Sequence, residues 1–145
     1  MAANASGRVT ASAPGSPSSR SPASERALQR ARQALRCLPL RLAFYRTLET
    51  TALSSNALAS LGTAQPGCDA PLCSRPLTAG QAERLFIWLI RVGVLRREVD
   101  GQGLTERVRL TPLGRQALSL WSERIPPADP LMRLHHWLRR LRPRL

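Results

Sequence analysis

The amino-acid sequence predicts a mainly α protein with one small β-hairpin. Three observations lead there. Apolar residues recur at helical spacing in six stretches, which marks amphipathic helices. A single stretch, Leu104 to Leu110, alternates with period two, the mark of a half-buried strand. Just ahead of it, Asp100-Gly101-Gln102-Gly103 supplies a turn in which glycine permits positive φ.

The bulk composition sets the bounds. A chain of 145 residues has room for one domain and tails. Its hydrophobic content of 43% suits a globular class. The net charge is +13, and all 22 basic residues are Arg. A basic balance favours polyanionic partners. Abundant Ala, Leu and Pro beside an all-Arg usage also suggest a GC-rich coding bias, so part of that charge is compositional. The excess is least dense in the middle, where residues 63–120 carry eight Arg against five acids.

Three cysteines, Cys37, Cys68 and Cys73, do not make a disulfide framework. The longest apolar run, Leu85 to Leu95, contains Arg91 and is too short to span a membrane. With no secretory h-region, a cytoplasmic location is the expectation.

Residues 1–24 are dominated by Ala, Ser, Pro and Gly, and are expected to be a disordered tail. A Ser- and Arg-rich transit peptide is the sharper alternative. Residues 25–125 then form the domain. Ser24 is the expected N-cap of the first helix, with Leu28, Ala31, Leu35 and Leu38 on its stripe and Pro39 ending it. A second helix spans about Leu40 to Thr50, with Leu42, Tyr45 and Leu48 inward. Ser54 or Ser55 caps a short third helix that Gly62 closes in the left-handed conformation. Residues 63–77, with three Pro, form a long loop.

Thr78-x-x-Gln81 is a capping box that opens the central helix, whose buried face carries Leu85, Leu89 and Val92. Gly93 lies at its end. The return strand puts Leu104, Val108 and Leu110 on one face, and Thr105, Arg107 and Arg109 on the other. Thr111-Pro112 is an N-cap followed by Pro at the first helical position. Leu113, Ala117, Leu120 and Trp121 are its expected buried side. Residues 129–145 form a basic amphipathic helix with Leu131, Leu134, Leu138 and Leu141 on one stripe.

Gly93-Val-Leu-Arg-Arg97, the turn at 100–103 and Arg109-Leu-Thr-Pro-Leu-Gly-Arg115 together resemble winged helix-turn-helix regulators. The stretch from Arg32 to Leu118 is also similar to a small, uncharacterised family of cyanobacterial proteins. The winged-helix resemblance implies a helix in the major groove and a wing on the backbone. Carried over, Thr78, Gln81 and Arg84 would face the groove. Arg96, Arg97, Arg107 and Arg109 would contact phosphates. The expected function is therefore a transcriptional regulator that binds double-stranded DNA.

The central helix also carries Phe86, Ile87 and Ile90 where a reading helix would continue its polar face. If exposed, they would suit a protein interface. The alternative function is thus a non-catalytic interaction module, with Leu134 and Leu138 of the last helix as further contacts. A homodimer through that helix, or its packing on the body, is preferred to a membrane surface. No nucleophile–base pair, phosphate loop or metal motif stands out, so neither catalysis nor a cofactor is expected. The Cys68-x4-Cys73 pair is too loosely spaced for zinc.

Overall fold

The computed structural model describes residues 20–62 and 71–141. Among these are six helices and one two-stranded antiparallel hairpin.

Helix α1 runs Pro22–Cys37. Its N-cap is Ser21, not Ser24, and the Ser21 hydroxyl accepts from the Ser24 amide at 3.3 Å. Pro22 explains the shift, because it fills a first-turn position whose missing N–H costs nothing. The helix therefore begins three residues earlier than expected, taking in the last three residues of the expected tail, whose residues 1–19 lie outside the described ones.

Helix α2 spans Leu42–Thr50, and α3 spans Ser55–Leu61 with Ser54 as its cap. Gly62 closes α3 in right-handed geometry, at φ −65°, instead of the left-handed one. Its value there is close approach. A Cβ on Gly62 would meet the Leu58 carbonyl at 2.6 Å and the Cys73 Sγ at 3.2 Å. The chain returning through Cys73 donates its amide to the Gly62 carbonyl at 2.9 Å.

Helix α4, Ala79–Val92, opens on the capping box expected of Thr78 and Gln81. It ends at Gly93, whose φ of 90° is left-handed. Strands β1, Leu95–Asp100, and β2, Gly103–Leu110, follow at once. Leu95 pairs with Leu110 and Val99 with Leu104, and the register shifts between Arg97 and Val99. Only the base of the hairpin reaches the core. Val108 and Leu110 are buried there, but Leu104, expected on the same inner face, is exposed with its cross-strand neighbour Val99. The hairpin tip stands clear of the body, so nothing covers that pair. Leu53 forms a bridge with Val108 on the other side of β2.

Helix α5, Pro112–Leu118, is shorter than the pattern suggests. Its buried side is Gly114, Ala117 and Leu118, while Leu120 is exposed. The helix stops at Leu118, so Leu120 leaves its stripe, while Leu113 and Trp121 pack partly buried against the core. Helix α6 spans Pro130–Leu141.

One apolar core joins α1 to α5 and the hairpin base. At its centre the Phe44 ring lies edge-on to Tyr45 at 5.0 Å and stacks on Phe86 at 5.9 Å. Burying each such side chain stabilises the fold by about 1.5–3 kcal/mol.

Candidate nucleic-acid interface

The outward face of α4 is defined by what its inward face buries. Ala82, Leu85, Phe86 and Leu89 are in the core. Gln81, Arg84, Ile87 and Arg91 therefore line the opposite side, and all four are exposed. The Thr78 and Gln81 side chains are committed to the cap. Thr78 Oγ1 accepts from the Gln81 amide at 3.2 Å, and Gln81 Oε1 accepts from the Thr78 amide at 3.1 Å. They shape the start of the helix, and their polar atoms face its backbone.

Phe86 is 0% exposed and belongs to the core, not to an interface. It follows Leu85 around the helix and meets Phe44, which widens the buried stripe beyond the expected one. Ile90 is half-buried against the same core. Ile87, at 40% exposure, is the one apolar side chain left between Arg84 and Arg91.

The hairpin arginines divide into two pairs. Arg97 lies opposite Val108 in the ladder, so it points to the body side. There it forms an ion pair with Glu83 of α4 and donates to the Glu106 carbonyl at 2.8 Å. Arg109 donates to Glu98 at 2.7 Å across the strands. Arg96 and Arg107 are exposed and have neither a hydrogen-bonded nor an ion-paired side chain among the described residues. The same holds for Arg84 and Arg91. Arg91 is not among the residues expected to contact DNA, although its seven-residue spacing from Arg84 places it on the same face. Glu83 was missed altogether. It meets its partner across two elements, and no local pattern reports such a pair.

Thr111 locks the end of the hairpin to α5. Its hydroxyl is shared between the Gly93 and Val94 carbonyls and accepts from the Gly114 amide at 3.0 Å. Thus the residues that carry the winged-helix resemblance, Gly93 and Thr111 to Gly114, meet at one joint.

Helix α6 approaches the body by a narrow edge. Trp88 Nε1 donates to His136 Nε2 at 3.0 Å, and the Cys37 thiol lies 3.9 Å from the Met132 carbonyl. Burial pushes the Cys37 thiol up, against the pull of Arg133 and Arg36. Burial also lowers His136 to about 4, helped by Arg140, Arg139 and His135. The expected leucine stripe does not pack on the body. Leu134 and Leu138, the α6 contacts of the alternative reading, are exposed.

Among the described residues no three His, Cys, Asp or Glu side chains are grouped to hold a metal ion. Cys68 lies outside them, and Cys73 is a buried free thiol. No helix among the described residues is long and apolar enough to cross a membrane.

These features define a mainly helical protein with an antiparallel hairpin joined to its central helix. The chain belongs to the Npun_F0494-like family, whose model matches residues 21–140. That span reaches from the cap of α1 into the last turn of α6, so both outer helices lie within the family's unit. No curated protein and no solved structure matches the chain.

Proposed function

We propose that the protein is a winged helix-turn-helix regulator that binds duplex DNA through α4 and the hairpin. Supporting the fold reading is the order of elements: α2, the extended Leu53 bridged to Val108, α3, α4, then the two strands. In that arrangement α4 is the reading helix and the hairpin is the wing. The observation that carries the binding reading is the sorting of the arginines. Arg97 and Arg109 are neutralised by Glu83 and Glu98, while Arg84, Arg91, Arg96 and Arg107 are left for phosphates.

The test is an anisotropy titration of a labelled duplex across salt. Binding should fall linearly in log–log form, with a slope near 0.9 per phosphate contacted. Arg96→Ala/Arg107→Ala should make that slope shallower by about two contacts. Absence of duplex binding at low salt overturns the reading.

Ile87 favours a second reading, a non-catalytic protein-interaction module. Its apolar side chain interrupts a face that would otherwise be polar. Under that reading the chain ignores duplex DNA and associates with itself in light scattering, and Ile87→Asp dissociates it.

A further inference from the structure

Helix α6 turns its apolar face away from the protein. Leu131, Leu134, Trp137, Leu138 and Leu141 are between 48% and 80% exposed. At roughly 100° per residue these five side chains fall within an arc of about 120°. The half-buried residues of the helix are Met132, His136 and Arg140, at four-residue intervals on the opposite edge. The contacts of Met132 with Cys37 and of His136 with Trp88 hold that edge against α1 and α4. The helix is therefore tethered by one edge and carries its leucine face outward as a ridge.

The charges around this face have one sign. From Pro130 onward the sequence contains no acidic residue, and every charged side chain of α6 is an arginine. By helical position, Arg133 borders one side of the apolar arc, and His135 and Arg139 border the other. A second copy of this chain is a poor occupant. Packing two such faces together would set the Arg133 and Arg139 side chains of one copy beside those of the other, in a protein of net charge +13. A nucleic acid would satisfy the arginines but leave five apolar side chains in water. A surface with an anionic rim over an apolar interior satisfies both.

We infer that α6 is a docking element for anionic phospholipid surfaces. It lies in the plane of the headgroups, with the leucines and Trp137 inserted toward the acyl chains. A helix that is apolar on one face and basic on the others suits this position. Trp137 sits where an indole ring favours the boundary between headgroup and chain. Arg133 and Arg139 reach outward from the apolar edge to lipid phosphates, with their stems along it. Because the apolar face is only three turns long, binding is reversible and depends on the anionic lipid. This inference does not rest on the DNA-binding reading.

The full chain is tested by cosedimentation with vesicles of phosphatidylcholine alone and of phosphatidylcholine mixed with phosphatidylglycerol. The protein should sediment with the mixed vesicles at low salt, and much less with the neutral ones. Each arginine contributes on the order of fivefold in partitioning, so Arg133→Gln/Arg139→Gln should weaken binding by roughly 25-fold. Leu134→Glu/Leu138→Glu should abolish it. Both positions are exposed, so circular dichroism of that variant should match the wild type. Brominated acyl chains should quench fluorescence in the wild type and much less in Trp137→Phe. Equal binding to both vesicle types, no binding to either, or undiminished binding by the leucine variant overturns the inference. A wild-type dimer in light scattering that Leu134→Glu/Leu138→Glu converts to monomer assigns the face to a second copy and overturns it as well.

Discussion

Trp88 Nε1 donates a hydrogen bond to His136 Nε2 at 3.0 Å, and the two rings meet edge to face at 5.3 Å. This joins the central helix to α6. It requires a neutral imidazole with its Nε2 lone pair free, because a protonated ring has no acceptor. The depressed value of about 4 agrees with that geometry.

A pH dependence follows. The folded value lies below the ordinary 6.5, so on acidification the unfolded chain takes up the proton first. His136 therefore contributes fully above about 6.5, and its contribution is lost as the pH falls toward 4. Urea midpoints measured across that window should decline more steeply for the wild type than for His136→Phe. Parallel curves for the two proteins would count against the bond as the acid-sensitive element.

Arg97 and Glu83 make a different kind of joint. Their ion pair ties β1 to the first half of α4, and both side chains are partly screened from solvent. A pair of this exposure contributes on the order of 1 kcal/mol or less. Its larger effect is on availability. In a duplex titration Arg97→Ala should leave the salt slope close to the wild-type value, whereas Arg107→Ala should reduce it by about one contact. Equal losses from the two substitutions would show that Arg97 leaves Glu83 to bind phosphate.

What was legible in the sequence is the local chemistry. The caps at Thr78 and Thr111, the end of α4 at Gly93 and the inward Val108 and Leu110 all follow from residues within a few positions of one another. The errors at Phe86, Leu104 and α6 share a non-local cause. Phe86 looks surplus to the stripe of α4 until Phe44 arrives from α2. Leu104 alternates correctly, yet the tip of the hairpin has no body beneath it. In α6 the leucine stripe is real, but Trp88 and Cys37 hold the helix by the edge bearing His136 and Met132. The arginines divide in the same way. Arg97 and Arg107 look alike in the sequence, and the body-side position of Arg97 beside Glu83 separates them.

Tyr45 is fully buried, and its hydroxyl has no hydrogen-bond partner among the described residues. Burial, with Cys73 nearby, pushes the phenol strongly up, so it stays protonated. Leaving such a group unsatisfied costs about 1–3 kcal/mol. Tyr45→Phe keeps the ring against Phe44 and removes the orphan oxygen. Its melting temperature should equal or exceed that of the wild type. A clear fall would mean that the hydroxyl is satisfied in solution, for example by an enclosed water.

Two glycines should respond in opposite directions to the same change. A Cβ on Gly114 would lie 2.5 Å from the Val94 carbonyl and 2.7 Å from Leu110 Cδ1. The first of these is backbone at the joint that Thr111 holds, so it cannot swing aside. Gly114→Ala should therefore destabilise the protein by roughly 2–3 kcal/mol, the usual scale of overpacking. Gly80 lies in the first turn of α4, with nothing within 4 Å of an added Cβ. Gly80→Ala lowers the entropy of the unfolded chain and adds helix propensity, so it should stabilise by about 0.5 kcal/mol. Chemical denaturation of both variants checks the pair. A Gly114→Ala protein as stable as Gly80→Ala would mean that α5 does not seat against Val94 as closely as the 2.5 Å approach requires.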